Sequence, residues 1–257
     1  MDTNSYILTI AGHDPSAGAG LTADLKTFEA HGLYGLSVCT AITVQNDINF
    51  KQCIWTPKAV IIAQIETLFE RFKIPVVKIG IVESWQVLNA ILECLHALNS
   101  EIKVVLDPVI KTTSGFDFHS TENQDILNNV LKKCYIITPN YIEIEQLYPN
   151  LNIQDTLDYM SNLTNVYLKG GHRSDKKGWD ALYHNKIVMV NIPPISNTVT
   201  NKHGSGCVLA SALASQIVLQ EHLEDAARSA KHYIEQYLNS NTTLLGKHTY
   251  QNTNNNL

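Results

Sequence analysis

The sequence predicts an α/β domain: one mainly parallel sheet with helices on both faces. Short, mostly apolar runs at residues 102–106, 135–138 and 166–168, broken only by Lys103 and Thr138, have the pattern of strands buried on both sides. Stretches of helical apolar spacing alternate with such runs, the order that builds strand–helix–strand units. At 257 residues and 44% hydrophobic content, the chain suits a single α/β domain of about 250 residues.

The elements follow in order. Residues 6–11 are an apolar, β-branched run ended by a glycine-rich turn. Residues 21–31 are an amphipathic helix closed by Gly32, and 36–44 a second strand. Pro57 opens a helical pattern that runs to residue 72. A short strand at 76–79 precedes Ser84, the N-cap of a helix through residue 98. After the three buried strands, residues 182–183 and 187–190 flank His184-Asn185-Lys186 as a hairpin. Residues 206–220 and 222–238 are two closing helices. No repeat or interdomain linker interrupts the pattern, so residues 1–240 read as one domain. Residues 241–257 read as a polar, Asn-rich tail, expected to be disordered from Tyr250 onward.

Composition excludes several classes. A net charge of −5 and a pI near 6.0 lack the basic surplus of a nucleic-acid binder. No apolar run approaches the roughly 20 residues of a membrane span. Residues 1–6 carry no basic region ahead of a long apolar stretch, so no signal peptide is expected. Cys39, Cys53, Cys94, Cys134 and Cys207 are odd in number and form no Cys-x-x-Cys pair. That argues against a disulfide framework or zinc ribbon and for reduced thiols in the cytoplasm.

In a parallel sheet, ligands bind outside the carboxyl ends of the strands. Six polar clusters fall at such ends: Gly12-His13-Asp14, Gln45-Asn46, Lys78 to Gly80, Asp107-Pro108, Thr138-Pro139-Asn140 and Lys169-Gly170-Gly171. Singly, each is ordinary turn chemistry. Together they point to one shared site.

The strongest constellation is His203-Gly204-Ser205-Gly206-Cys207 ahead of a small-residue helix. Two glycines let backbone approach a ligand, and the helix start supplies unpaired N–H groups and a positive dipole end. This is an anion hole suited to a transferring phosphoryl group. A thiol at a helix N-terminus is expected to have a lowered pKa, so Cys207 is a candidate base. The alternative is a glycine turn before a buried helix, with Cys207 packed as a small hydrophobe. Asn140-x-x-Glu143 places a carboxylate in the first turn of a helix, where it could hold magnesium, directly or through water, or simply complement the dipole. The segment Gly12 to Asp24 contains Gly18-x-Gly20-x-x-Ala23, a weak match to a dinucleotide fingerprint, because Gly18 stands six positions beyond Gly12 at the strand end. No Walker-type lysine motif is present.

With these residues in place, the chain resembles the hydroxymethylpyrimidine and phosphomethylpyrimidine kinases of thiamine synthesis, within the ribokinase-like superfamily. The likeness covers roughly residues 6–238. Its motifs run in family order: Leu8-Thr9-Ile10-Ala11-Gly12-x-Asp14-Pro15-Ser16, Ala23-Asp24-Leu25-Lys26-Thr27-Phe28, Val44-Gln45-Asn46, Lys78-Ile79-Gly80, Leu106-Asp107-Pro108-Val109, Thr138-Pro139-Asn140, Leu168-Lys169-Gly170-Gly171-His172 and His203-Gly204-Ser205-Gly206-Cys207. The resemblance implies a ribokinase-like fold and an ATP- and Mg2+-dependent, cytoplasmic kinase, expected as a homodimer. It would phosphorylate the hydroxymethylpyrimidine and then its monophosphate.

By resemblance, Gly12, Asp14, Gln45 and Val109 line the pyrimidine pocket, with Gln45 reading the ring's polar edge. Asn140 and Glu143 support magnesium. Lys169 and Gly171 lie on the ATP side. Gly204, Ser205 and Gly206 form the anion hole, and Cys207 takes the base position that is aspartate in most superfamily sugar kinases. Three positions depart from the usual pattern. Ile81 stands where methionine is frequent, His13 where Ser or Thr is common, and Lys202 where Thr is usual. Lys202 beside the anion hole could touch phosphate or point to solvent. The loop 111–119 is expected to fold over the site. Rival readings are a pyridoxal kinase, a non-catalytic pyrimidine-binding regulatory protein and, more distantly, an NAD-dependent oxidoreductase.

Overall fold

In the computed structural model, residues 5–109, 124–171, 176–196, 198–220 and 222–251 are described. The strands are β1 Tyr6–His13, β2 Tyr34–Gln45, β3 Phe50–Trp55, β4 Val76–Ile79, β5 Lys103–Leu106, β6 Ile136–Ile137, β7 Asn165–Leu168, β8 Asp180–His184 and β9 Ile187–Ile192. They join into one sheet in the order β3-β2-β1-β4-β5-β6-β7-β8-β9. The run from β2 to β7 is parallel, while β3 at one edge and β8 and β9 at the other are antiparallel. The helices are α1 Gly20–Ala30, α2 Lys58–Phe69, α3 Trp85–Leu98, α4 Gln124–Lys133, α5 Tyr141–Leu147, α6 Ile153–Ser161, α7 Ser205–Leu219 and α8 Leu223–Leu238.

Side chains alternate faces along a strand, so each central strand feeds two cores. Leu8 and Ile10 of β1, Val77 and Ile79 of β4, Val104 and Leu106 of β5, and Val166 and Leu168 of β7 pack toward α2 to α6. Ile7, Val76, Val105 and Tyr167 pack toward α1, α7 and α8. The same period carries Thr9, Lys78, Asp107 and Lys169 onto the α1–α7–α8 side. Every one of these four polar residues is buried. Apolar alternation therefore delivers charge to the place where α7 begins.

Several sequence expectations hold closely. The strand at 76–79 and the helix ending at residue 98 have the predicted bounds, and Ser84 Oγ accepts the Val87 N–H at 3.3 Å. The hairpin turns on Asn185 and Lys186, both at positive φ (47° and 64°), as a tight two-residue connection requires. Others differ. The edge strand β3 has no fully buried residue, so it shows no core-facing apolar run. The tail is tied down further than its composition suggests: the Gln251 N–H donates to Ala30 O at 2.7 Å. The predicted covering loop at 111–119 lies outside the described residues.

One polar network crosses the α1–α7 layer. Asp24 on α1 accepts from Thr9 Oγ1 of β1 at 2.6 Å, from Lys78 Nζ of β4 at 2.9 and 3.0 Å, and from Ser211 Oγ of α7 at 2.6 Å. Both ions of the Asp24–Lys78 pair are fully shielded from solvent. Removing one partner of such a pair leaves an uncompensated buried charge. Asp24→Ala should therefore lose roughly 3–5 kcal/mol of stability, and the double variant with Lys78→Met should regain part of it. Urea unfolding measures both, and an Asp24→Ala midpoint equal to wild type would sink the assignment.

Candidate active site

A cavity of about 360 Å³ opens at the carboxyl ends of the strands. Its wall includes Gly12 after β1, Gln45 at the end of β2, Lys78 and Gly80 of β4, Asp107 and Val109 after β5, Asn140 and Glu143 after β6, Lys169 and Gly171 after β7, and Gly204 to Cys207 at the start of α7. All six polar clusters expected from the strand ends thus meet at one place.

Helix α7 lends its N-terminal turn to the cavity wall. Gly204 is its N-cap at φ +73°, and the first helical bond runs from Val208 N–H to Gly204 O at 3.0 Å. The N–H groups of Ser205, Gly206 and Cys207 therefore precede the helical ladder. A Cβ at Gly204 would collide with the backbone carbonyl of Gly18, and one at Gly20 (φ +57°) with that of Gly12. The glycine-rich turn after β1 and the turn before α7 thus pack backbone on backbone, which only glycine allows.

Cys207 is half-buried at this helix start. Burial pushes its thiol up to about 11, and Asp107 and Asp24 push the same way against the pull of Lys78. This corrects the expectation of a lowered thiol pKa. Desolvation and two buried carboxylates outweigh Lys78 and the Gly20 N–H, so the thiol is protonated at neutral pH.

Asp14 also departs from expectation. It does not line the cavity. Its carboxylate accepts from Ser16 N–H at 2.8 Å, Ser16 Oγ at 2.8 and 2.9 Å and Ala19 N–H at 2.9 Å, and lies 2.9 Å from His203 Nε2. It shapes the turn and holds His203, which does line the cavity. Burial alone would raise its pKa, but the bonds from His203, Ser16 and Ala19 bring it from 3.8 down to about 2.

Lys169 sits between two carboxylates, 3.0 Å from Asp107 Oδ1 and 3.5 Å from Glu143 Oε2. Burial opposes ionisation of Asp107, yet Lys169 and Lys78 hold its pKa below the usual range. Burial raises that of Glu143, and Asp107 adds to the rise while Lys169 opposes it. Asn140 lines the cavity and also caps α5. Its Oδ1 accepts from Ile142 N–H at 2.8 Å and Glu143 N–H at 3.0 Å, and Glu143 Oε2 accepts the Asn140 N–H at 2.7 Å. This capping box aims Glu143.

Among the described residues no group of three or more His, Cys, Asp and Glu side chains forms a metal cage. A magnesium ion does not need one. It is usually held by one or two carboxylates plus waters and substrate phosphates. Asp107 and Glu143 fit that role, and a raised Glu143 carboxyl is one that an added cation would pull back toward ionisation.

Gly12 and Gln45 each follow a register shift, at Ala11/Gly12 in β1 and Val44/Gln45 in β2. Such irregularities re-aim side chains at sheet edges and sites. Ile81 reaches the same wall, and its side chain occupies the space a Gly12 Cβ would need. Gly171 lines the cavity on the Lys169 side, and no atom of the described residues lies within 4 Å of where its Cβ would be. Motif reading assigns no task to Asp107, Lys78, Asp24 or His203. The signal for the first two is the period-2 pattern, which puts a charge on the helix-facing side at successive strand ends.

The mixed sheet, with a glycine-capped helix start beside a carboxylate–lysine cluster, has the architecture of a ribokinase-like small-molecule kinase. The sequence profile of the phosphomethylpyrimidine kinase family matches residues 14–252. The hydroxymethylpyrimidine/phosphomethylpyrimidine kinase of Aquifex aeolicus is 32% identical over 249 residues, covering 93% of this chain and 96% of that protein. The crystal structure of phosphomethylpyrimidine kinase from Clostridium difficile 630 superposes with a TM-score of 0.74 at 34% identity, covering 89% and 97% of the two chains. The pyridoxal kinase of Staphylococcus aureus, solved with ADP, shares the fold at a TM-score of 0.83 and 24% identity, with 98% and 96% covered. The chain belongs to the phosphomethylpyrimidine kinase family.

Two outcomes follow for the free protein. Asp14 has a depressed folded pKa, so its stabilisation is present above pH 4 and is lost as pH falls toward about 2. Near neutral pH it contributes roughly 2 kcal/mol, and Asp14→Asn should remove this acid-dependent component. Parallel pH–stability curves for variant and wild type between pH 5 and 2 would contradict it. For Cys207, alkylation followed by mass spectrometry should accelerate with pH up to about 11. An inflection at or below about 8.5, the ordinary thiol value, would show an activated thiolate instead.

Proposed function

We propose that this chain uses ATP to phosphorylate the hydroxymethyl group of 4-amino-5-hydroxymethyl-2-methylpyrimidine and then the resulting monophosphate, giving the pyrimidine diphosphate for thiamine synthesis. One observation carries the reading. The N–H groups opening α7 face the same cavity as Gln45 and Gly12 on one side and Lys169, Asp107 and Glu143 on the other. A flat polar ring and a polyphosphate can therefore meet across one anion hole.

The pyrimidine lies against Gly12, Val109 and Ile81, with Gln45 bonding the ring's amine and nitrogen edge. The hydroxyl points toward Cys207, which is protonated in the free protein and orients the hydroxyl rather than waiting as a thiolate. The nucleotide lies on the Lys169 and Gly171 side. Lys169 and the N–H groups of Ser205, Gly206 and Cys207 offset charge on the transferring phosphoryl group. Asp107 and Glu143 would hold magnesium, which supplies charge neutralisation between phosphate oxygens. Asn140 aims Glu143, and Asp14 holds His203. Transfer through a loose transition state depends mainly on such positioning, and a strong base is not required.

A coupled ADP-release assay across pyrimidine and pyridine alcohols tests the reading. The hydroxymethylpyrimidine should be the preferred substrate, and a preference for pyridoxal would replace it. Gln45→Leu should lower kcat/KM for the pyrimidine by at least about 10²-fold while leaving KM for ATP unchanged, because a site built to bond a polar edge fails when that bond is lost. Equal efficiency in variant and wild type would remove Gln45 from the site.

A further inference from the structure

The cavity wall beyond Lys169 holds a second buried charge cluster, separate from the carboxylates around that lysine. Asp180, which opens β8, and Lys231 of α8 both line the cavity, and they are 3% and 6% exposed. Lys231 Nζ donates to Gly178 O at 2.6 Å and lies 3.1 Å from Asp180 Oδ2 and 3.3 Å from Glu235 Oε1. Tyr167 of β7, fully buried, donates its hydroxyl to Asp180 Oδ2 at 2.8 Å. Burial first, and then Asp180 beside it, hold the Tyr167 pKa well above its usual value, so this hydroxyl stays a donor. One oxygen of Asp180 is thus gripped from α8 and β7 together.

The other oxygen reaches the turn after β7. Asp180 Oδ1 accepts the Gly170 N–H at 2.6 Å, and the Gly178 N–H donates to Gly170 O at 2.9 Å. Both backbone polar groups of Gly170 are therefore bonded. A side chain has no room there, since a Cβ would collide with the Trp179 backbone. One residue earlier, the Lys169 N–H donates to Pro139 O at 2.8 Å. The backbone from Lys169 to Gly171 is held by β6 on one side and by the Asp180 carboxylate on the other. It carries the Lys169 ammonium to its place between Asp107 and Glu143. An ionised carboxylate accepts on both oxygens at once, and this position uses both.

We propose that Asp180 is a positioning residue for the nucleotide: gripped by Lys231 and Tyr167 through one oxygen, it fixes with the other the Gly170-Gly171 turn against which the polyphosphate lies. This deepens, and rests on, the reading that ATP occupies the Lys169 side of the cavity. Asp180 and Lys231 reach the cavity wall themselves, so the bound nucleotide passes directly over the clamp. The pyrimidine half, at Gly12, Gln45 and Val109, is built from other strand ends and does not draw on it.

Asp180→Asn tests this while keeping the shape of the side chain. An amide has a single oxygen, and the Lys231 ammonium claims it. The amide NH2 then turns toward the Gly170 N–H, donor against donor. Leaving that buried N–H unpaired should raise the Kd for ADP with magnesium, read by calorimetry, and the KM for ATP by roughly tenfold or more. The KM for the pyrimidine should stay at the wild-type value. An unchanged Kd for ADP in folded Asp180→Asn overturns the proposal. So does an equal loss for ATP and pyrimidine, the mark of a general loosening of the fold. If Asp180→Asn does not fold, Tyr167→Phe removes one bond from the gripped oxygen. It should raise the Kd for ADP about threefold, the effect of one ordinary hydrogen bond, with the pyrimidine KM unchanged. An unaltered Kd there overturns the proposal equally. Wild type judges the kinase reading separately: ADP binding without turnover on any alcohol offered sinks that reading, while the clamp still stands or falls on the ADP titrations.

Discussion

The Asp24 carboxylate is the constraint on which the site depends. It has no access to water and is bonded by groups from β1, β4 and α7. A buried charge of this kind tolerates little displacement, because every lost partner exposes a desolvation cost. It therefore sets where α7 lies relative to the strand ends. The N–H groups that open α7 are useful only at that position. Hydrophobic packing of Val208, Ala212 and Leu213 supplies the driving force for docking, but it is non-directional. The ion pair and its hydroxyl partners supply the register.

Around that fixed helix the cavity alternates charge. Lys78 stands between Asp24 and Asp107, and Lys169 between Asp107 and Glu143. Each ammonium is held charged by the carboxylates beside it although burial opposes this. Lysines arranged this way stay charged and fixed in place, the form in which a buried cation serves an anion best under the function proposed above. The same carboxylates suppress ionisation of the Cys207 thiol. The alternation that holds the lysines charged is thereby the one that keeps the thiol protonated.

The mainly parallel sheet covered on both faces and the meeting of six strand-end clusters were legible because they depend on period and position along the chain. The edge strand β3 was not, since an edge strand with exposed alternate residues looks like any polar loop. Individual roles were less legible than the location. Asp14 occupies a motif position beside the substrate, but its oxygens are consumed by Ser16, Ala19 and His203. Asn140 carries the right amide for a metal, but its oxygen caps α5. Lys202 stands out as a departure from the usual residue, and nothing local says that its partners lie some 40 residues onward.

The sequence by itself determined the fold class, the family and the end of the sheet where chemistry happens, because hydrophobic period and glycine placement are properties of a chain read in order. Only the tertiary structure decided which polar atom of each motif is spent on structure and which faces the cavity. Hydrogen-bond capacity is finite, and an oxygen already accepting two N–H groups has little left for a ligand. It alone also decided the charge states, since the pKa values of Asp14 and Cys207 come from desolvation and neighbours brought together from distant elements.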